Sequence, residues 1–174
     1  MEFKDKSTLK RWEMAQKSEK EFWRGHTTKS LMKEHGDRYP KKTKILLKEW
    51  SKFTKINKNT KTLQIGCGPE DVINHIFVGK RYSIDPLAEF YKNFFNFDYK
   101  STNLIEGAGE KIPFKDKFFD IVILINVLDH VHVPDIVLDE ISRVLKDNGI
   151  FHFENYIYQK RFIQIGKFLS LIHI

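Results

Sequence analysis

The nine residues LQIGCGPED, Leu63 to Asp71, run from a short apolar stretch into a glycine turn. Gly66 and Gly68 carry no Cβ, so a backbone folded here can come very close to a ligand. A helix starting after the turn adds the positive end of its dipole. The dinucleotide fingerprint G-x-G-x-x-G places a third glycine where this chain has Asp71. Pro69 and Glu70 come before it, so two carboxylates stand where a pyrophosphate would sit. That arrangement disfavours phosphate and suits a phosphate-free ligand, above all one with a positive charge.

Outward from this turn the pattern alternates. Thr62–Ile65 reads as a first strand, Val72–Phe77 as a short helix and Arg81–Ile84 as a second strand. An aromatic-rich helix is expected over Leu87–Phe97 and a third strand over Asn103–Glu106. FDIVILI, Phe119–Ile125, is a β-rich apolar run, as in a strand buried on both faces. Asp135–Leu145 is amphipathic, KDNG ends that helix, and Ile150–Phe153 is a fifth strand. Strands alternating with helices predict an α/β, Rossmann-like, doubly wound and mainly parallel sheet. Before the sheet comes a helical extension. One helix is expected over 7–24, capped by Ser7 or Thr8, and a second over 28–35, ending near Gly36. A third is opened by Pro40 and carries Ile45, Leu46, Trp50 and Phe53 on one face.

The 174 residues suffice for one domain with a real core, and 41% of them are hydrophobic. Charge is unevenly spread. Residues 1–62 hold 18 Lys/Arg against 8 Asp/Glu, a net +10, whereas residues 63–174 hold 12 against 15, a net −3. The basic residues are mostly Lys scattered among acids and apolar residues, as on solvated helix faces. No dense Arg cluster with interleaved aromatics marks a nucleic-acid groove, so no nucleic-acid partner is expected. No apolar run approaches the roughly 18–20 residues of a membrane span. The N-terminal stretch MEFKDKSTLKRWE has no apolar core of a secretory signal. Cys67 is the only cysteine, which excludes an intrachain disulfide and suits a reducing cytoplasm. No metal site is expected.

Asp85, in YSIDP, ends the second strand 17 positions after Gly68. An acid there is placed to accept both hydroxyls of a ribose. The glycine turn, Asp85 and the block EGAGEKIPFKDKFFDIVILINVLDHVHVPDIVLDEISRVLKDNGIFHF, Glu106–Phe153, together resemble the class I S-adenosylmethionine-dependent methyltransferases with a type 11-like domain. The resemblance covers about residues 60–155. It implies S-adenosyl-L-methionine as cofactor, with Gly66, Cys67 and Gly68 against its methionine part and Asp85 on the ribose. Pro86 and Leu87 would wall the adenine, Gly109 and Glu110 would face its edge, and Asn126 and Val127 would lie near the amino-acid end. Gln64 stands where relatives often carry an acid, and its amide would hydrogen-bond the cofactor's amino group. Ala108 stands where many relatives have Asp, so that adenine contact is missing.

A sulfonium methyl is already activated, and catalysis is mainly alignment of the acceptor. His130 and Asp129 are the candidates for a general base if the acceptor is a hydroxyl; His132 reads as a surface residue. Trp12, Trp23, His26 and Tyr39 are candidates for a lid over the acceptor. The expected organisation is an N-terminal helical lid or extension over 1–58, an incomplete methyltransferase core over 59–168, and a possible non-native tail over 169–174. The tail LSLIHI is what the codons CTG TCT CTT ATA CAC ATC would encode, a sequence matching a transposon end used in sequencing-library preparation. On that reading the final strands of the fold are missing and the fifth strand is an exposed apolar edge. The expected acceptor is a small molecule. The alternatives are a Rossmann-like protein that binds a nucleoside without catalysis and, further off, a nicotinamide-dependent oxidoreductase.

Overall fold

The computed structural model describes residues 6–157 and 166–173, with side chains described from Leu9 to Asn155. Three helices come first: α1 (Lys6–Arg24), α2 (Thr28–His35) and α3 (Arg38–Trp50). They are followed by β1 (Lys61–Ile65), a 3₁₀ turn at Val72–His75, β2 (Lys80–Asp85), α4 (Ala88–Phe94) and β3 (Leu104–Glu106). The chain continues through β4 (Phe119–Ile125), α5 (Pro134–Val144), β5 (Leu145–Ile157) and β6 (Gly166–His173).

The strands form one sheet in the order β3-β2-β1-β4-β5-β6. The first five are parallel, and β6 runs antiparallel to β5. β4 is central and buried on both faces. Ile121, Ile123 and Ile125 belong to the core shared with α3 and α4, whereas Val122 and Leu124 pack with Val137, Ile141 and Val144 of α5. Strand order reverses between β1 and β4, so their carboxyl ends diverge and leave a crevice, the usual ligand position in such sheets.

Several boundaries differ from those expected. The helix expected over Val72–Phe77 is a single 3₁₀ turn, because Asp71 and Asn74 cap each other's backbone and Ile76 is extended. α4 stops at Phe94, since Phe95 turns extended and buries its ring. KDNG does not separate helix from strand. It lies in the irregular start of β5, with Asn148 at φ 60 and a register shift opposite Phe119–Ile121. Ser7 and Thr8 fall inside α1, not before it. In α3, Thr43, Leu46 and Trp50 are the buried stripe, while Ile45 is 62% exposed; Phe53 lies in the turn past the helix end and is 51% exposed. β5 is not an edge, because Gly166–His173 pairs along it from Ile150 opposite His173 to Ile157 opposite Gly166.

Trp50 is fully buried and meets His152 edge-on at 5.5 Å. Trp50→Ala is expected to destabilise by about 3–5 kcal/mol. Ile45→Ala on the same helix should change stability by less than about 0.5 kcal/mol. Urea unfolding of the two variants checks the assignment of faces.

Candidate functional site

The turn after β1 is built by positive φ. Gly66 has φ 62 and Gly68 φ 57, angles that L residues rarely adopt. Gly66 N–H donates to Ile84 O at 2.8 Å, which extends the β1–β2 pairing by one residue. A Cβ on Gly66 would lie 2.3 Å from Val127 Cγ2, so the turn and the segment after β4 close on each other. Cys67 is buried between the glycines, its Sγ 3.3 Å from Gly68 O. Burial, then the Asp85 charge, pushes its thiol well up, so it is no nucleophile.

Asp85 sits at the end of β2 and is 6% exposed. Its Oδ2 accepts Gly68 N–H at 3.0 Å and its Oδ1 accepts Leu87 N–H at 2.9 Å. Burial, reinforced by the charge of Glu19 and opposed by those two backbone bonds, raises its carboxyl from 3.8 to about 6.

Two cavities open at the carboxyl ends of the strands. The first spans about 540 Å³ of space that is open in part to solvent. Asp85, Pro86, Ala108, Gly109, Glu110, Asn126, Val127 and His130 line it, and α1 closes it with Trp12, Gln16 and Glu19. Among the described residues, no lysine or arginine lines it. The second cavity, of about 590 Å³, shares Gly66 and Asn126 with the first. Trp23, Arg38, Tyr39 and Lys42 line it from the helices, and Cys67, Gly68, Glu70 and Asp71 from the turn.

Several expected residues are placed otherwise. Gln64 is fully buried, and its amide faces inward: Nε2 donates to Asp71 Oδ2 at 2.7 Å and Oε1 accepts Ile73 N–H at 3.1 Å. It braces the turn and lines neither cavity. Glu70 lies between His75 Nε2 (2.8 Å) and His35 Nδ1 (3.3 Å), and Asp71 Oδ1 caps Val72 N–H at 2.6 Å. The pair therefore holds the turn and the helices together on the side of the second cavity. The acids that line the first cavity are instead Glu19, Asp85 and Glu110. Leu87 lines the outer groove beside α4, not the first cavity. Glu110 Oε1 accepts the N–H groups of His132 (2.6 Å) and Val133 (3.1 Å), so its carboxylate also fixes the entry to α5. Asn126 has φ 53, and its N–H donates to Glu154 O at 2.8 Å. His132 is buried and is not the surface residue expected. His130 Nε2 lies 3.5 Å from Asp129 Oδ2, with side chains 53% and 61% exposed.

Trp12 reaches the first cavity, and Trp23 and Tyr39 the second. His26 instead packs on Phe22 at 4.8 Å, with Nδ1 3.0 Å from Phe22 O. Gln16, Glu19, Arg38 and Lys42 were not singled out as site residues. For the first two the signal was present, since 12, 16, 19 and 23 share a helical face. Arg38 and Lys42 flank Tyr39 at i, i+4 but are two among many basic residues.

A crevice at the switch point, two glycines at positive φ and an acid ending β2 define a Rossmann-like nucleoside-binding protein of the methyltransferase type. The methyltransferase-domain family matches residues 63–153, more than half of the chain. The chain belongs to that family, with the class I fold and S-adenosylmethionine as cofactor. Among curated proteins it is similar to the mitochondrial arginine-hydroxylase NDUFAF5 of Mus musculus, 32% identical over 92 residues. That match takes in 51% of this chain but 26% of the relative, so the chain spans about a quarter of that protein's length. Among solved structures, an S-adenosylmethionine-dependent methyltransferase from Aquifex aeolicus shares the fold with a TM-score of 0.52 at 18% identity, covering 70% of this chain and 75% of that one. The YcgJ protein of Bacillus subtilis gives 0.54 at 19% identity, covering 66% and 52%.

Gly66→Ala should destabilise by about 2 kcal/mol or more, from positive φ and the Val127 clash. Adding Val127→Ala removes the clash alone and should recover part of the loss, as read in thermal unfolding. Asp85 gives a pH dependence of known sign. Its folded value of about 6 lies above the ordinary 3.8, so the folded state holds more proton between them. Stability from this group is therefore full below about 4 and falls until about 6, by roughly 3 kcal/mol. Against Asp85→Asn, the wild type should lose ground over that window and hold level above it, in urea unfolding at a series of pH values.

Proposed function

We propose that this chain works as an S-adenosylmethionine-dependent methyltransferase acting on a small-molecule acceptor. The observation that carries the reading is the adjoining pair of cavities of contrasting charge. Among the described residues the first carries carboxylates and no lysine or arginine, which suits a nucleoside without phosphate attached to a cationic centre. The second presents Arg38 and Lys42 opposite Glu70 and Asp71, which suits a group bearing both signs, such as an α-amino acid. The two meet at Gly66 and Asn126, so one molecule with a nucleoside end and an amino-acid end can span them.

In this reading Asp85 accepts the ribose hydroxyls, and Pro86, Ala108 and Gly109 form the adenine wall. The glycine turn bends its backbone around the narrow passage between the cavities. Arg38 takes the carboxylate of the amino-acid end, beside Tyr39, over whose ring its guanidinium lies at 5.7 Å. Lys42 is held in place by Glu154 at 2.9 Å. When bound, the cofactor supplies a methyl group activated by its sulfonium. The chain's own task is then to align the acceptor and exclude water. His130 is the general base for an acceptor hydroxyl, taking its proton on a ring nitrogen while Asp129 orients the ring. The exposed His130–Asp129 pair, 3.5 Å apart with His130 in the cavity lining, fits an acceptor arriving from solvent.

Calorimetric titration tests this. S-adenosylmethionine and S-adenosylhomocysteine should bind, and NAD should not. 5′-Methylthioadenosine lacks the amino-acid end, so Arg38→Ala should weaken S-adenosylhomocysteine about tenfold or more and leave 5′-methylthioadenosine unchanged. Equal loss for both ligands would remove Arg38 from this role. Because the curated relatives carry the name arginine-hydroxylase, turnover is read as transfer of a labelled methyl group to the small molecules of a cell extract. Binding without any labelled product would make the chain a nucleoside-binding protein.

A further inference from the structure

Glu19 is the acid of the first cavity that comes from the N-terminal helices. It projects from α1, half-buried, and its Oε1 accepts Trp23 Nε1–H at 2.7 Å. That bond fixes the carboxylate on the cavity side of the helix, where Trp12, Gln16 and Glu19 follow one another along one face. Asp85 lines the same space, and its oxygens already hold Gly68 and Leu87. Three carboxylates, Glu19, Asp85 and Glu110, line this space, and no described lysine or arginine does, which produces a negative potential. Low-dielectric walls concentrate it. The chain as a whole carries +7, so the sign of this lining is local.

We propose that Glu19 is a specificity-determining residue that favours the positively charged form of the cofactor over the neutral product left after transfer. The inference rests on the cofactor reading above. S-adenosylmethionine carries a positive charge on sulfur, and S-adenosylhomocysteine carries none there; the two are otherwise alike. A carboxylate that acts through its field separates them. A carboxylate that merely hydrogen-bonds a ribose hydroxyl treats them equally, because both have the same ribose. Glu19 stands on the element that closes the cavity, so the preference is set by the closing helix and not by the sheet.

The test is binding, measured by calorimetry for S-adenosylmethionine and S-adenosylhomocysteine in parallel. Glu19→Gln keeps an oxygen to accept from Trp23 and removes the charge. It should weaken S-adenosylmethionine about three- to tenfold and leave S-adenosylhomocysteine within about twofold. Glu19→Asp, which keeps the charge, should recover part of the difference. Gln16→Glu adds a carboxylate to the same lining and should shift the ratio the other way, towards S-adenosylmethionine. Equal losses for both ligands, or no change for either, would overturn the proposal while leaving the cofactor reading intact. If the wild-type chain binds neither ligand, the cofactor reading fails and this inference falls with it.

Discussion

The site depends on one carboxylate. Asp85 takes the N–H of Gly68 on one oxygen and that of Leu87 on the other, and so ties the turn after β1 to the turn after β2. Neither turn has regular pairing of its own at that point. Even with both hydrogen bonds in place, its raised ionisation leaves the buried charge costing roughly 3 kcal/mol. What the tie provides is geometry. It holds the backbone of Gly68 in its left-handed conformation, beside the place where Gly66 and Val127 close on each other. On the proposed reading, a ribose at Asp85 would meet an acid whose position is already fixed by the backbone.

A basic chain keeps one cavity free of lysine and arginine by giving its inward cations other work. Lys42 is held by Glu154, whose carboxyl burial pushes up but His152 and Lys42 together bring down to about 2. Arg143 is held by Glu140 and Asp116 and also donates to Ile112 O and Phe114 O. Ile112 N–H in turn donates to Glu140 Oε2 at 2.7 Å. The result is a pinned segment after the Ala108–Glu110 wall, fixed from below by α5. Lys146 pairs with Asp120 on the far side of the sheet. The remaining positive charge lies mostly on solvated faces, where it is screened within about a Debye length.

The sheet was legible because its signal is redundant. Leu63, Ile65, Ile84 and, Asp120 apart, the run Phe119–Ile125 are apolar, and each lies in a strand. Gly66, Gly68 and Asp85 were legible because turn chemistry and strand ends fix their positions. Side-chain direction was not. Gln64, Glu70 and Asp71 are polar residues at a turn, and sequence alone does not say whether they face a ligand or each other. The structure pairs them internally, through Gln64–Asp71 and His35–Glu70–His75. Ile45 and Phe53 show the same limit from the other side, since an apolar residue is free to face solvent. Aromatic content misled at α4, where Phe95 continues the composition of the helix but leaves its geometry to fill the core.

The N-terminal helices divide into an anchored part and a resting part. α2 and α3 are fastened from several directions. His35 reaches Glu70, Thr43 donates to Val72 O, and Leu46 and Trp50 are buried in the main core. α1 differs: among the described residues, none of the fully buried core side chains belongs to it. Its links to the body are Trp23 against Tyr91 at 6.4 Å, Lys20 over Phe90 at 5.2 Å, and the side chains that line the first cavity. A helix with little core of its own gains packing from whatever fills the space beneath it. On the proposed reading, an occupant of the first cavity would add to the packing of α1 through Trp12, Gln16 and Glu19. The carboxylate of Glu19 would then make that packing sensitive to the occupant's charge.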